Sequence, residues 1–219
     1  MEKILKGKKI LITAGPTWVP IDKVRVITNV FSGKLGLIIA EIASKMGAKV
    51  TLLMGPTKLV VLSKNKKNFN IINFKYFDEF LTLVKKEVGS RKYNIMIHSA
   101  AVADYMPVLT SEGKIKSGRN NLIIRFKPTV KIVDLIKEID PNIFLVKFEL
   151  EVNLPKKELI DVAYKSMLRS RAALIVANDF RTINRGHRAF IVDDKKKIIV
   201  CDGKEDIAKK LLFLIAKKI

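Results

Sequence analysis

Ser32-Gly33-Lys34-Leu35-Gly36 brings together a hydroxyl, two glycines and a lysine at a spacing suited to binding phosphate. If a helix begins there, Ser32 is a good N-cap, and the glycines let a ligand and a strand approach the backbone. The unpaired N–H groups of the first turn, with roughly half a positive charge of helix dipole, then attract an anion. An ordinary capped helix packed on a sheet through Gly36 would use the same residues. The preceding stretch favours the ligand site: Ala14 to Phe31 is long for a strand-to-helix connection and holds Gly15, Thr17, Arg25, Thr28 and Asn29 just after Thr13. Those donors suit a polar ligand at the carboxyl ends of strands.

Two further segments carry polar groups in a suggestive order. His98-Ser99-Ala100-Ala101-Val102-Ala103-Asp104-Tyr105 leaves an apolar run with small residues that admit a ligand to the backbone. Asp104 is its polar feature, although a turn-capping aspartate reads the same way. Gly113-Lys114-Ile115-Lys116-Ser117-Gly118 sets two lysines between glycines, as a flap closing on phosphates requires.

The elements that must position these residues alternate. Strands are expected at Lys9 to Thr13, Lys49 to Met54, Asn70 to Phe74 and Ile95 to Ser99, with helices at Gly33 to Met46 and Asp78 to Val88. After an irregular stretch from Ala100 to Asn120 come a strand at Leu122 to Phe126, a helix at Val130 to Ile139, a strand at Ile143 to Phe148, a helix at Lys156 to Arg169 and a strand at Ala173 to Ala177. A hairpin at Ala189 to Cys201, turning at Asp193-Asp194-Lys195, precedes a closing helix at Lys204 to Lys217. The expected fold is α/β, Rossmann-like, with a mostly parallel doubly wound sheet and an appended β-hairpin. No Ser/Pro-rich or repetitive stretch marks a linker, so residues 1–219 read as one domain.

Composition narrows the function. The chain has 219 residues, 48% of them hydrophobic, enough to bury one sizeable core. Its apolar runs, such as Leu59 to Leu62 and Leu211 to Ile215, fall far short of the roughly 20 residues of a membrane-spanning helix. The charged start Met1-Glu2-Lys3-Ile4-Leu5-Lys6 lacks the apolar core of a secretion signal, so the expected location is the cytoplasm. One cysteine, Cys201, and two histidines, His98 and His187, provide neither an internal disulfide nor a zinc-type cluster. The net charge of +21 attracts anions of any kind, or simply reflects lysine-rich solvated surfaces such as Lys64 to Lys67 and Lys195 to Lys197. A nucleic-acid-binding module should interleave aromatics with its basic residues, and only Trp18 and scattered Phe and Tyr are on offer. A nicotinamide-dependent oxidoreductase should place an acid at the end of its second strand, where Leu53-Met54-Gly55-Pro56 has none. None of the four tyrosines has a lysine four residues later, as the short-chain dehydrogenases require.

Taken in order, Ile12-Thr13-Ala14-Gly15-Pro16-Thr17, Pro20-Ile21-Asp22, Val24-Arg25, Thr28-Asn29, Ser32-Gly33-Lys34-Leu35-Gly36, Ala100-Ala101-Val102-Ala103-Asp104-Tyr105, Lys114-Ile115-Lys116 and Ala177-Asn178-Asp179 resemble phosphopantothenoylcysteine synthetase. The resemblance spans nearly the whole chain. It implies a homodimeric, Rossmann-like ligase that joins 4'-phosphopantothenate to cysteine through an acyl-nucleotide made from CTP or ATP, with magnesium accompanying the triphosphate. That family is often fused to a flavin-dependent decarboxylase; no flavin-binding half is expected in this chain, which reads either as the free-standing form, with a separate decarboxylase as partner, or as the ligase half of the bifunctional protein. Carried over residue by residue, Asn29 matches the catalytic asparagine, donating to the acyl-nucleotide, and Lys114 the flap lysine. Arg25 matches an arginine for the pantothenate phosphate, acting in one subunit or across the dimer, and Ala100 and Ala101 line the substrate. Gly15, Ser32, Gly33, Lys34 and Gly36 fall among the phosphate contacts. Asp104, Pro128-Thr129-Val130, Phe148, Lys165 and Arg169 fall where the family holds base, ribose and phosphates. Lys165 and Arg169 are one helical turn apart and can reach one ligand, or simply form a solvated basic face. The sequence departs from the family at Lys127-Pro128-Thr129-Val130 and Lys147-Phe148-Glu149-Leu150-Glu151-Val152, in place of Asn-Pro-Asp-Ile and Gly-Phe-Ala-Ala-Glu-Thr, which leaves the choice of base open. Val30-Phe31 likewise replace a His-Ser pair beside Asn29.

Overall fold

In the computed structural model, which describes residues 2–60, 67–118, 120–183 and 185–219, apolar runs too short for helices become the strands of one sheet. The elements are β1 (Lys9–Ala14), β2 (Trp18–Pro20), β3 (Val26–Thr28), α1 (Lys34–Lys45), β4 (Lys49–Met54), β5 (Phe69–Asn73), α2 (Phe77–Gly89), β6 (Ile95–His98), β7 (Tyr105–Pro107), β8 (Phe126–Pro128), α3 (Ile132–Ile139), β9 (Phe144–Glu151), α4 (Lys156–Arg169), β10 (Leu174–Asp179), α5 (Phe180–Ile183), β11 (Arg188–Asp193), β12 (Ile198–Asp202) and α6 (Lys204–Lys218). The main sheet has the order β12-β11-β10-β9-β6-β1-β4-β5. Strands β5, β4, β1, β6, β9 and β10 run parallel, and β11 alone runs against its neighbours β10 and β12. This is the doubly wound sheet with an appended hairpin that the sequence led us to expect.

Alternation along the central strands feeds two cores. Ile10, Ile12 and Ala14 of β1 pack with Ile95, Ile97, Val146 and Val176 beneath α1 and α6. Leu11, Met96, Leu145 and Ile175 point the other way, under α2, α3 and α4 through Phe80, Ile136 and Leu159. Both faces are therefore covered, which is why β1 carries a continuous apolar run rather than a polar-apolar alternation.

Several local expectations need correction. The helix α1 begins at Lys34 with Gly33 as its cap, in the left-handed region at φ 77°, and has no side-chain cap; Ser32 is not the N-cap. A Cβ on residue 33 would lie 2.5 Å from the Gly15 nitrogen, so the turn is fixed by close backbone approach rather than by a capping hydroxyl. The strand expected at Leu122 to Phe126 starts only at Phe126, because the apolar Ile123 finds no surface to pack on and is 85% exposed. Strand β7 lies inside the stretch read as irregular and pairs with β8 beyond it, and β2 with β3 forms another small ladder within the long loop after β1. The helix expected from Val130 begins at Ile132. The stretch Lys64 to Lys67, read as solvated surface, lies outside the described residues except for Lys67, which is exposed, and the apolar run Leu59 to Leu62 is only partly within them. Among the described residues no helix is long and apolar enough to cross a membrane.

Gly36 is the tightest seam between α1 and the sheet: an added Cβ would lie 2.6 Å from both Ala14 Cβ and Ser99 Oγ and 3.3 Å from the Thr13 carbonyl. We expect Gly36→Ala to destabilise the fold by about 1–3 kcal/mol through overpacking, measured by urea denaturation; an unchanged midpoint would contradict this packing.

Candidate functional site

Strands β1 and β6 lie side by side, but the chain leaves them toward opposite faces: β1 feeds α1 on one side, while α2, on the other, leads into β6. At their carboxyl ends the connections separate and leave a crevice, the usual ligand position in open α/β sheets. A cavity of about 730 Å³ occupies it, lined by Gly15, by Asn29 to Gly36, by Ser99 to Val102 with Asp104, and by the ends of β9 and β10.

The amino end of α1 forms one wall. Its first hydrogen bond is Leu37 N to the Gly33 carbonyl at 3.0 Å, and the first turn has no acidic residue. The N–H groups of Lys34, Leu35 and Gly36 therefore have no protein acceptor among the described residues, an arrangement that favours an anion. Ser32 lies at the same edge, its carbonyl accepting from Thr57 Oγ1 at 2.9 Å.

The opposite wall is the Ala100–Ala103 loop, held from beneath by polar side chains of the β1 loop. Ala100 N donates to Thr13 Oγ1 at 3.2 Å, Ala103 N to Thr17 Oγ1 at 2.9 Å, and Ser99 Oγ to the Thr13 carbonyl at 2.6 Å. Asn29 Nδ2 donates to the carbonyls of Ala101 (2.9 Å) and Val102 (3.3 Å). The Asn29 amide thus joins the two walls; donating to a ligand would mean exchanging the longer of these bonds, while Oδ1 has no protein partner among the described residues. His98 supports the loop indirectly, its Nδ1 being 3.1 Å from Thr13 Oγ1 and its ring stacked on Phe80.

Phe148, Glu149 and Leu150 at the end of β9 and Asn178 at the end of β10 complete the floor. Phe31, beside Asn29, meets Phe180 edge to face at 6.1 Å. Beyond them lie His187 and Lys204, which the sequence reading missed because they sit on the appended hairpin and last helix, far from any recognised motif. Asn178 Oδ1 is 3.0 Å from His187 Nε2, and His187 Nδ1 is buried without a partner among the described residues. Burial and then the nearby Lys34 lower the pKa of Lys204. Lys34 and Lys204, which begin α1 and α6, therefore bring two cations to this end of the pocket.

Not every expected residue lines this cavity. Asp104 does, with Oδ1 accepting from Lys131 Nζ at 2.6 Å; its carbonyl accepts from Thr129 N at 2.9 Å, and Thr129 Oγ1 donates to the Ala103 carbonyl at 2.7 Å. Pro128, Thr129 and Val130 are thereby placed on the α3 side of the loop, outside the cavity lining. Lys165 and Arg169 are exposed on α4, also outside it. Buried Lys147 has a pKa lowered mainly by burial, with Arg169 contributing, and its Nζ lies 2.7 Å from Ser166 Oγ. Arg25 and Lys114 lie in a separate cluster linked through Asp22 and Ile115.

A doubly wound sheet whose switch point presents a helix start without a side-chain cap opposite a pinned loop of small residues is an arrangement with which open α/β domains hold anionic ligands. Residues 5–219 match the family model of the DNA/pantothenate metabolism flavoprotein C-terminal domain, and the chain belongs to that family. It is 37% identical over 209 residues to the coenzyme A biosynthesis bifunctional protein CoaBC of Thermococcus kodakarensis, covering 95% of this chain and 48% of that protein. The chain spans about half the length of the curated relatives it matches. The crystal structure of the DNA/pantothenate metabolism flavoprotein from Streptococcus pneumoniae superposes with a TM-score of 0.88 at 32% identity, covering 97% of this chain and all of that one. The C-terminal domain of a CoaBC protein gives a TM-score of 0.81 at 29% identity, covering 99% and 98% of the two chains.

Both histidines tie the site to pH. Burial depresses each from 6.5 to about 4, with smaller contributions from Lys147 at His98 and Lys204 at His187. The unfolded chain takes up these protons near pH 6.5, whereas the folded chain does so only near pH 4. Their contribution to stability is therefore complete above about pH 7, falls between pH 6.5 and 4, and levels off below, by up to about 3 kcal/mol per histidine. Denaturation midpoints at pH 7, 5.5 and 4.5 should show this decline, with a shallower slope in His98→Gln; equal slopes would exclude His98 as a source.

Proposed function

We propose that this chain is a phosphopantothenate-cysteine ligase domain acting in coenzyme A biosynthesis. The observation that carries the proposal is the crevice itself: an uncapped helix start, ready for phosphate, faces a small-residue loop tethered by Asn29. Family membership supports the same assignment.

A carboxylate resists attack by an amine, so the reaction runs in two steps. The carboxylate oxygen of 4'-phosphopantothenate attacks the α-phosphorus of the nucleoside triphosphate, and pyrophosphate leaves. The cysteine amino nitrogen then attacks the acyl carbon, loses a proton, and the nucleoside monophosphate departs. In the first step the free N–H groups of Lys34, Leu35 and Gly36 and the side chain of Lys34 stabilise the shifting phosphate charge, aided by Lys114 from its flap. Such preorganised electrostatics commonly dominate this type of catalysis. Ala100 and Ala101 let the acyl group approach the backbone. Asn29 fixes that loop, and its free Oδ1 can accept from the incoming amine. In this reading Arg25 binds the pantothenate phosphate, within a subunit or across a homodimer, while Asp104, Pro128 to Val130, Phe148, Lys165 and Arg169 hold base and ribose.

Magnesium accompanies the triphosphate. Among the described residues no three His, Cys, Asp or Glu side chains form a metal cage, whereas the acidic residues Asp104 and Glu149 belong to the cavity lining, Asp104 Oδ1 lying 2.6 Å from Lys131 Nζ and Glu149 Oε2 3.9 Å from Lys147 Nζ. That donor set fits an ion held chiefly by phosphate oxygens and water with one or two carboxylates. When bound, the ion offsets phosphate charge. Flavin chemistry belongs to a decarboxylase that acts on the product.

Mass spectrometry of reactions containing 4'-phosphopantothenate, cysteine, magnesium and either CTP or ATP tests the proposal. We expect 4'-phosphopantothenoylcysteine with stoichiometric CMP or AMP. Asn29→Asp, which sets a carboxylate against the Ala101 and Val102 carbonyls, should slow product formation about a hundred- to a thousandfold and accumulate the acyl-nucleotide. Well-folded protein that yields neither product nor intermediate with either nucleotide would sink the ligase reading.

A further inference from the structure

Two segments far apart in sequence meet on one carboxylate. The Asp22 side chain is fully buried although it sits in the turn between β2 and β3. Its Oδ1 accepts from Val24 N at 2.9 Å and Arg25 N at 2.8 Å, which closes that turn. Its Oδ2 accepts from Arg25 Nε at 3.0 Å and Nη2 at 2.5 Å, and also from Ile115 N at 3.0 Å, 93 positions away. Arg25 Nη2 in turn donates to the Ile115 carbonyl at 2.8 Å. One ion pair thus holds both polar groups of Ile115, as a neighbouring strand would.

Of the described residues Gly113 to Gly118, Ile115 alone makes hydrogen bonds to another element; the contact at Gly113 is local, to Ser111 Oγ at 3.0 Å. On the amino side the chain is tied at Ser111, whose N donates to the Ile21 carbonyl at 3.1 Å, and at Thr110, whose Oγ1 donates to the Pro20 carbonyl at 3.5 Å. Gly113 and Gly118 border the segment, a Cβ at either would meet no described atom within 4 Å, and Gly118 is in the left-handed region at φ 89°. Within the segment it is the Ile115 tie that fixes where Lys114 stands.

We propose that Asp22 is the positioning residue for the flap, holding Lys114 in working position through Ile115 and orienting Arg25 in the same contact. Hydrogen bonds from Arg25 and Ile115 keep the Asp22 carboxyl ionised far below the usual carboxylate range, so the tie persists across physiological pH. Asp22 touches neither nucleotide nor substrate in this scheme. Its effect on kcat runs through Lys114 and its effect on substrate KM through Arg25, and the inference rests on the ligase reading.

Asp22→Asn is the informative substitution, because the amide oxygen still closes the turn at Val24 N and Arg25 N while the amide nitrogen cannot accept from Ile115 N or from the Arg25 guanidinium. Acyl-nucleotide formation should slow about ten- to a hundredfold, as expected for a displaced catalytic group. The cysteine step, started from supplied acyl-nucleotide at saturation, should keep its parent rate, with any loosening of Arg25 showing as a raised KM. In a Lys114→Met background, Asp22→Asn should add no further loss of kcat for acyl-nucleotide formation, since coupled residues are not additive. Amide hydrogen exchange across Gly113 to Gly118 should accelerate in Asp22→Asn. Unchanged exchange, or a slowdown that persists in full without Lys114, would overturn the proposal. A parent protein with no ligase activity would instead overturn the functional reading, and the exchange measurement would still report whether Asp22 anchors the segment.

Discussion

The site depends on how closely the start of α1 can lie over the end of β1. Gly33 comes within a Cβ's reach of Gly15, and Gly36 lies against Ala14 and Ser99, so the backbone N–H groups of the first turn sit at the sheet edge itself. A side chain at either glycine would lift the helix and pull its positive end away from the crevice. The energetic logic is that of many phosphate sites: the fold leaves donors without protein partners and lets the ligand complete them. Everything else in the crevice serves to hold a second wall at the right distance. Thr13, Thr17 and Asn29 do this with neutral hydrogen bonds, which add no charge to compete with the ligand.

The main architecture was legible because buried parallel strands carry unbroken apolar runs and their helices carry apolar stripes. Lys9 to Thr13, Lys49 to Met54 and Ile95 to Ser99 could hardly be anything else. Three-residue ladders such as β2–β3 are too short to show a period, and they hid inside segments read as loop. The capping role assigned to Ser32 failed because a left-handed glycine next in sequence takes the cap position. Leu122 to Phe126 misled because composition does not reveal whether a neighbouring strand exists to receive an apolar run.

The site itself was legible in part. Segments that lie next to the crevice, Gly15 to Gly36 and Ala100 to Asp104, announced themselves through glycines, small residues and local polar groups. His187 and Lys204 carry no such signature, since only the sheet order brings them to Asn178 and Lys34. The tie between Asp22 and Ile115 was equally hidden: its partners stand 93 positions apart, and Pro20-Ile21-Asp22 reads as a turn without its distant partner.

The reversal at β11 has a spatial consequence. By sending β12 back toward the crevice, it lets α6 start beside α1 and run away from the ligand, so that the final residue reaches the opposite edge of the sheet. There Lys8 Nζ, immediately before β1, donates to the Ile219 carbonyl at 3.4 Å. Lys8 and Ile219 therefore lie together at the amino ends of the strands, with the length of the strands between them and the crevice. The closing helix thus packs along the sheet without crowding the mouth of the crevice.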